Sequence, residues 1–197
     1  MKLRVNYTLP ASRANGPGLR YVLWVQGCSI HCLGCSNKDT WDPAGGKDVS
    51  FEDIISDVQN EFFKSKPYNK NLQGITITGG EPLDQFEAVY QLCRRFSLAG
   101  LTQHPGKIPY LTIFLTTGYT LAQIIEKGMW KIFDVLDIIS VGPFEQDKVC
   151  TGQWKGSSNQ ELYYLTEWGK KQSSLPVIKK EYHIGSSGEI LKTGFSQ

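Results

Sequence analysis

Two periods of hydrophobic residues alternate along this chain and predict its secondary structure. Short runs rich in β-branched and aromatic residues are typical of strands, and they cover Leu3–Leu9, Tyr21–Val25, Gly74–Thr78, Tyr110–Leu115 and Val135–Ser140. Apolar stripes at helical spacing cover Phe51–Phe62, Phe86–Phe96 and Leu121–Ile125. Ser50, with an acidic residue three positions later, is a predicted N-cap for the first of these helices. Strands and helices alternate here, which predicts parallel βαβ units.

The pattern weakens after Phe144. Thr151–Gln160 is polar and rich in glycine, which predicts a loop. Val177–Ile184 and Glu189–Leu191 flank a Gly-Ser-Ser-Gly turn and predict a terminal β-hairpin. No linker is long enough to divide the chain, so we expect one domain over residues 1–197, with a core of about 3–160 and a C-terminal extension of about 161–197.

Composition and charge exclude several functional classes. The chain has 197 residues and a formal net charge of +2, which gives no reason to expect nucleic acid or an anionic membrane as the main partner. No apolar run approaches the roughly 18 residues of a membrane span. The first residues lack the apolar core of a signal peptide. We therefore expect a cytoplasmic protein, in which disulfides are rare.

Three of the five cysteines lie within eight residues. Cys28, Cys32 and Cys35 are spaced Cys-x3-Cys-x2-Cys, and clustered thiolates select zinc or an iron–sulfur cluster. A structural zinc site needs four ligands, for which His31 is the nearest candidate, although it is also a typical solvent-facing loop residue. Three ligands suit a [4Fe–4S] cluster with one open iron. Spacing alone leaves both interpretations open.

The other two cysteines have a different character. Cys93 lies on the apolar stripe of a predicted helix, which is typical of a small core residue. Cys150 lies beside the polar loop and is assigned no role.

The residues around the cysteines form an ordered series of motifs. They are Gly16-Pro17-Gly18-Leu19-Arg20, Trp24-Val25-Gln26-Gly27-Cys28, Cys32-x-x-Cys35-Ser36-Asn37, Thr40-Trp41, Gly79-Gly80-Glu81-Pro82-Leu83, Thr117-Gly118-Tyr119, Asp137-x4-Gly142-Pro143-Phe144 and Gly156-Ser157-Ser158-Asn159-Gln160. The series resembles the signature of radical S-adenosylmethionine enzymes. Among these it is most similar to the activating proteins of glycyl-radical enzymes, and of anaerobic ribonucleotide reductases in particular.

This resemblance implies a fold and two cofactors. The fold is α/β, a partial and open (β/α)6-type barrel of about six strands, followed by the C-terminal hairpin. The cofactors are a [4Fe–4S] cluster on Cys28, Cys32 and Cys35, and S-adenosylmethionine. The residues implied at the S-adenosylmethionine site are Gly34, Cys35, Ser36, Asn37, Gly79, Gly80, Glu81 and Thr117.

The resemblance also implies roles for these residues. Gly79 and Gly80 let the backbone approach the methionine amino group, with Glu81 near the ammonium, although Gly-Gly also suits a tight strand-to-helix turn. A Gly80→Val change is expected to impair S-adenosylmethionine binding and to leave the cluster intact. Asn37 is either a nucleoside ligand or a helix cap. Arg20 is either a substrate-side residue or a surface arginine.

The motif Gly156–Gln160 has two interpretations. It is either a substrate-docking loop or a turn supported by side-chain amide hydrogen bonds.

Three functional hypotheses follow. The first is an activating enzyme that forms a glycyl radical in a partner protein, with an electron donor such as flavodoxin or ferredoxin. The second is a radical enzyme acting on a small molecule or peptide. The third is a structural or electron-transfer metal module. Val141 stands where the family usually has an acidic residue, and the chain has extra residues at Thr102–Pro109 and beyond Leu165, so the substrate stays open.

Overall fold

The strands and helices of this protein are seen in a computed structural model that describes residues 1–64, 72–102, 111–185 and 187–194. The strands are β1 (Lys2–Ser12), β2 (Arg20–Val25), β3 (Lys47–Ser50), β4 (Gly74–Gly79), β5 (Thr112–Thr116), β6 (Ile138–Val141), β7 (Glu161–Tyr164), β8 (Glu181–Ile184) and β9 (Ile190–Thr193). The α-helices are α1 (Phe51–Lys64), α2 (Phe86–Leu98), α3 (Leu121–Glu126) and α4 (Glu167–Lys171). Short 3-10 helices cover Lys38–Thr40, Pro82–Gln85, Trp130–Val135, Gln146–Lys148 and Gln172–Ser174.

The main sheet is mixed, with a parallel centre. Its strand order is β3-β1-β2-β4-β5-β6-β7, and the pairs β2–β4, β4–β5 and β5–β6 are parallel. The outer pairs are antiparallel. The described residues therefore form a sheet of seven strands, where the resemblance implied about six. Five of the seven correspond to strands predicted from the hydrophobic pattern, and β3 and β7 escaped that prediction because they are short and half exposed and carry little hydrophobic signal. The α/β class and its parallel βα units are confirmed.

Alternating side chains separate the two faces of the sheet. On strand β2, Tyr21, Leu23 and Val25 belong to the large core between the sheet and the helices. Val22 and Trp24 point to the opposite face, where they pack with Leu9. The two long helices α1 and α2 pack on the first face, and the second face carries a cavity and part of the C-terminal segment.

Several element boundaries differ from the sequence predictions. The predicted strand Val135–Ser140 begins only at Ile138, because Trp130–Val135 forms a 3-10 helix. The hairpin β8–β9 is confirmed but begins at Glu181 instead of Val177. Ser50 caps α1 as predicted, since its hydroxyl accepts a hydrogen bond from the Asp53 N–H.

Parts of three predicted segments lie outside the described residues: Tyr110 of its strand, Gln103–Pro109 of the extra segment, and Ser186 of the hairpin turn. Cys93 is buried in the core, as predicted. None of the helices in the described ranges has the length and hydropathy needed to cross a bilayer.

Arg20 is fully buried, so it is neither the substrate-side residue nor the surface arginine that the sequence suggested. Its Nε donates to the Thr76 hydroxyl at 2.7 Å, and its Nη2 donates to the carbonyls of Ile75 and Thr112 at 2.7 and 2.8 Å. Burial lowers its pKa to about 9, and the charge of Asp137 opposes that shift. Arg20 therefore ties three neighbouring parallel strands together and faces neither a substrate nor solvent.

Candidate functional site

A cavity of about 640 Å³ opens where the parallel strands β2, β4, β5 and β6 reach their carboxyl ends. In open α/β sheets ligands bind at this edge, and the volume is within the roughly 300–1,000 Å³ of small-molecule sites. All the site residues predicted from the sequence line this one cavity: Cys28, Cys32, Gly34, Cys35, Ser36, Asn37, Gly79, Gly80, Glu81 and Thr117.

The cysteine loop leaves the end of β2 and is held by backbone hydrogen bonds. The Gly27 N–H donates to the Thr40 carbonyl at 2.7 Å, and the Cys28 N–H donates to the Trp41 carbonyl at 3.2 Å. Within the loop, the Cys35 N–H donates to the Cys32 carbonyl at 3.1 Å and forms the turn between the last two cysteines. The three thiols therefore come to one cavity wall through the backbone geometry of the loop.

Each of the three sulfurs has at least one backbone N–H nearby. Those of Ile30 and His31 lie near the Cys28 sulfur, and that of Phe144 lies near the Cys32 sulfur. The Asn37 N–H lies 3.4 Å from Cys35 Sγ.

Burial nevertheless raises the pKa of both the Cys28 and Cys32 thiols. Amide donors suit sulfurs that carry negative charge, and a thiolate is the form that binds metal. Across the described ranges, no three His, Cys, Asp or Glu side chains converge as ligands of a single metal ion.

His31 and Asn37 occupy different positions around the loop. His31 is exposed, as the solvent-facing interpretation predicts, and its ring lies 4.6 Å from that of Trp41, between centroids. Asn37 precedes the 3-10 helix Lys38–Thr40, but its side chain makes no capping hydrogen bond. Asn37 lines the cavity, and the helix-cap interpretation of its side chain is wrong.

The glycine pair after β4 lies directly against the cysteine loop. Gly79 has a φ of +113°, which favours glycine, and the Gly80 N–H donates to the Val25 carbonyl at 2.9 Å. A Cβ on Gly80 would collide with the Gly27 carbonyl, one residue before Cys28. The reason for expecting Gly80→Val to spare the cluster does not hold, because the two loops are far apart in sequence but in contact in space. We therefore expect the substitution to disturb the cysteine loop as well.

Glu81 is buried, with 1% of its surface exposed, and its carboxylate is engaged by the protein. It accepts hydrogen bonds from the Thr117 hydroxyl at 2.7 Å, the Gly118 N–H at 2.7 Å and the Leu83 N–H at 2.8 Å. Burial raises its pKa to about 7. Glu81 thus joins the loop after β4 to the loop after β5, and it holds Thr117 at the cavity wall.

Comparison with known proteins agrees with this geometry. The model of a family described as a 4Fe-4S single cluster domain matches residues 14–163. The anaerobic ribonucleoside-triphosphate reductase-activating protein of Vibrio cholerae is 32% identical over 163 residues, which are 80% of this chain and 95% of that protein. Its counterpart in Escherichia coli K12 is 34% identical over 79% of this chain and 95% of that protein. The chain belongs to this family of reductase-activating proteins.

Two further similarities cover less of the chain. A pyruvate formate-lyase-activating enzyme of Staphylococcus epidermidis is 40% identical over 44% of this chain and 34% of its own length. The crystal structure of QueE from Escherichia coli aligns with a TM-score of 0.42 at 16% identity, over 61% of this chain and 54% of that one. The membership of the activating-protein family confirms the resemblance drawn from the sequence motifs.

One departure from the family pattern has a structural account. Val141, at the position where the family usually carries an acid, is buried in the core between sheet and helices. Its neighbour Ser140 points to the other face and lines the cavity. The polar group at this strand end therefore comes from Ser140.

Sequence reasoning missed Ser140 as a site residue. Its side chain is buried, and among the described residues no donor or acceptor reaches its Oγ. It pairs across strands with Thr116, whose hydroxyl donates to the Thr78 hydroxyl at 2.7 Å, and all three line the cavity. A lone serine among Ile138, Ile139 and Val141 was the available signal, since a buried hydroxyl normally has a partner.

The Gly156–Gln160 motif is a turn supported by side-chain amides, as one of the two interpretations predicts. Gln160 Oε1 accepts from the Gly156 N–H at 2.8 Å, and its Nε2 donates to the Gly142 carbonyl at 2.8 Å. The Asn159 amide donates to the Pro143 carbonyl at 2.8 Å. Gly156 and Gln160 also line the cavity, so the turn forms part of its wall.

The C-terminal hairpin lies beyond the residues that the family model matches and reaches the same cavity. Lys192, Thr193 and Gly194 line it beside Asn15 and Trp24. The Asn15 amide donates to the Thr193 hydroxyl at 2.8 Å. Its part in the cavity could not be predicted, because the hairpin is distant in sequence from every motif.

Proposed function

We propose that this protein is an activating enzyme that uses a [4Fe–4S] cluster and S-adenosylmethionine to form a glycyl radical in a partner, most closely an anaerobic ribonucleoside-triphosphate reductase. The observation that carries the proposal is the meeting of three cysteines and the Gly79-Gly80 turn in one cavity. The named function of the relatives supports the partner class.

The donor set fits a [4Fe–4S] cluster held by Cys28, Cys32 and Cys35. The three thiols open on one cavity, and each sulfur has at least one backbone N–H nearby. When bound, the cluster and S-adenosylmethionine supply reductive cleavage of the sulfonium bond and hence a hydrogen-abstracting radical. The cysteine loop contributes the ligands and the half-buried surroundings that separate them from bulk water.

The remaining cavity residues fit the nucleoside and the methionine part of S-adenosylmethionine. Gly79 and Gly80 offer backbone next to the cysteine loop for the amino group. Glu81, which accepts three hydrogen bonds from the protein, orients Thr117. Asn37 and Ser140 bring polar side chains to the cavity wall, and the buried Ser140 hydroxyl has no hydrogen-bond partner among the described residues.

Gly34 and Ser36 line the same wall as Asn37 and are proposed for the adenine side of the ligand.

Four further features belong to this proposal. The sheet is an open, partial barrel, supported by its run of parallel strands and the cavity on its inner face. Residues 1–197 form one domain with a core of about 3–160. The electron donor is a flavodoxin or ferredoxin. The cytoplasmic location expected from the sequence stays a prediction.

A small-molecule or peptide substrate is a second candidate, because the hairpin residue Lys192 lines the cavity and lies outside the matched family residues. The third hypothesis, a metal module without S-adenosylmethionine chemistry, does not account for a cavity of this size beside the cysteines.

The test is an anaerobic reconstitution with iron and sulfide, followed by dithionite and S-adenosylmethionine. We expect about four iron and four sulfide per chain, since a [4Fe–4S] cluster contains that number, and formation of 5′-deoxyadenosine and methionine by chromatography. With the purified reductase of the same organism, electron paramagnetic resonance should then detect a glycyl radical. A full, reducible cluster without 5′-deoxyadenosine would favour the electron-transfer module. Cleavage without a glycyl radical would favour the second candidate.

A further inference from the structure

Asp84 connects three loops at the cluster end of the cavity. It lies in the 3-10 helix Pro82–Gln85, directly after the Gly79-Gly80 turn. Its Oδ2 accepts from the Ser29 N–H at 2.7 Å, and its Oδ1 accepts from the Ser29 hydroxyl at 2.8 Å. The Tyr119 hydroxyl also donates to Oδ1, at 2.8 Å. One carboxylate therefore holds the cysteine loop through Ser29 and the loop after β5 through Tyr119.

The position of Ser29 makes this contact important for the cluster. Ser29 follows Cys28 directly, so the hydrogen bonds from its N–H and its hydroxyl to Asp84 fix the backbone next to the first proposed ligand. The same loop carries His31 at a φ of +52°, which a residue with a side chain rarely adopts. Such a conformation persists only where surrounding contacts impose it. Asp84 supplies contacts of this kind from outside the loop.

Asp84 and Glu81 belong to one turn but differ in surroundings. Glu81 is buried and satisfied by donors of the loops after β4 and β5, whereas Asp84 is exposed. Exposed hydrogen bonds and charges contribute little to the stability of a fold. The two contacts of Asp84 to Ser29 are thus better explained by the local geometry of the cysteine loop than by overall stability.

The charge of Asp84 also reaches the cluster site. Asp84 Oδ2 accepts from the N–H of Ser29, the residue that directly follows Cys28, so the negative charge of this carboxylate lies beside the first proposed cluster ligand. A negative charge at that place disfavours an added electron on a nearby iron–sulfur cluster. Reduction potentials of such clusters depend on net charge, hydrogen bonds to sulfur and exposure.

We propose that Asp84 is a positioning residue for the cluster: it fixes the cysteine loop through Ser29 and Tyr119, and its charge lowers the reduction potential of the cluster. This inference rests on the proposed function, because it requires the three cysteines to hold a [4Fe–4S] cluster. It adds a residue outside the cysteine and Gly79–Glu81 motifs to the machinery of the site.

The experiment compares Asp84→Asn and Ser29→Ala with the native protein and with Asp134→Asn. Asp134 is an exposed aspartate in the 3-10 helix Trp130–Val135 and serves as the matched control. Each full-length protein is reconstituted anaerobically, and two quantities are measured. They are the rate at which a chelator bleaches the cluster absorption, and the midpoint potential from a redox titration followed by electron paramagnetic resonance.

The two variants should distinguish the effect of Asp84 on the loop geometry from the effect of its charge on the reduction potential. Both should lose the cluster faster than native, by about tenfold, the lower end of the effect of outer-shell substitutions on metal sites. Only Asp84→Asn should move the potential to a more positive value, since Ser29→Ala keeps the carboxylate. Asp134→Asn should match native in both measurements.

The inference is overturned if Asp84→Asn matches native in both bleaching rate and potential. A potential that moves equally in both variants would overturn the charge component. If the native protein assembles no cluster at all, the proposed function fails instead. Circular dichroism of the two variants without cluster should match that of the native protein. If Asp84→Asn folds poorly, Ser29→Ala still tests the contact, because it removes only one exposed hydroxyl.

Discussion

The cavity has two ends that are built by different means. At the cysteine end, backbone hydrogen bonds and two glycines set most of the geometry, from Gly27 and Cys28 to Gly80, and the Asp84 side chain adds its contacts to Ser29. At the hairpin end, side chains hold the wall. The Glu181 carboxylate accepts hydrogen bonds from the Ser12 hydroxyl and from the N–H groups of Arg13 and Ala14.

Apolar contact completes the hairpin end, where Leu191 packs against Leu9, Val22 and Trp24. The difference indicates where sequence motifs are informative. A backbone-determined loop tolerates few residue types, so its glycines and cysteines form a local pattern that can be recognised. A wall held by scattered side chains leaves no such pattern.

The largest effect is expected from removing the cysteines. A Cys28→Ala, Cys32→Ala, Cys35→Ala variant should bind no cluster after reconstitution, because every proposed ligand is gone. Iron and sulfide analysis measures the result. Cys93→Ala and Cys150→Ala should keep the full content, since Cys93 is buried in the core and Cys150 does not line the cavity. Retained iron and sulfide in the triple variant would show that the ligands are misassigned.

The next effect concerns the contact between the two backbone loops. Gly80→Ala should reduce both cluster content and S-adenosylmethionine binding, because the added Cβ meets the Gly27 carbonyl beside Cys28. A misplacement of about 1 Å at a reacting site can cost roughly a hundredfold in rate. Iron content and the rate of 5′-deoxyadenosine formation measure the two losses.

The control for Gly80 is Gly128→Ala. Gly128 has a φ of +71° and no atom within 4 Å of an added Cβ, so the substitution costs only about 1 kcal/mol of backbone strain. If Gly80→Ala retained its full cluster and lost only S-adenosylmethionine binding, the two loops would be independent, as expected from their separation in sequence.

The success of the sequence predictions also differs between local motifs and contacts made by side chains that are distant in sequence. The cysteines, Gly79 and Gly80 lie in local motifs, and all line the cavity. Arg20 lies in such a motif too, but its burial depends on acceptors from other strands, such as Thr76 and Thr112, which sequence order does not bring together. Polar partners distant in sequence set the burial of a charged side chain, which is why both interpretations of Arg20 were wrong.

The buried carboxyl at the cysteine end should give the protein without cluster a distinct pH dependence. The pKa of Glu81 is raised by burial to about 7 from an ordinary 4.5, so the folded chain holds this proton more tightly than the unfolded chain. The free energy of unfolding should therefore fall as pH rises from about 4.5 to about 7, by up to about 3 kcal/mol.

Urea denaturation across this pH range measures the effect. The Glu81→Gln variant has no titrating group at position 81. The difference in unfolding free energy between the native protein and this variant should therefore change with pH. A constant difference would mean that the pKa of Glu81 is the same in the folded and unfolded chain. A difference that grows in favour of native Glu81 as pH rises would mean that its three donors hold it ionised.

The smallest effect is expected at the hairpin. Glu181→Ala removes the acceptor of three hydrogen bonds, each worth about 1.5–3 kcal/mol at most when the acceptor is charged. We expect faster amide hydrogen exchange in Glu181–Thr193, native cluster content, and at most about a tenfold rise in the S-adenosylmethionine concentration needed for half-maximal cleavage. Glu189→Ala is the matched control, because Glu189 is exposed and bonds to Ser187 of its own turn.

This combination of results would separate the two ends of the cavity. A loosened hairpin with an intact cluster and weaker S-adenosylmethionine use would mean that Lys192, Thr193 and Gly194 form a working wall of the cofactor site. A loosened hairpin with unchanged cleavage would place the cofactor wholly at the cysteine end, and the hairpin wall would then face the substrate. Lost cluster in Glu181→Ala would contradict the division itself, because it would make the side-chain anchors of the hairpin necessary for the backbone geometry at Cys28.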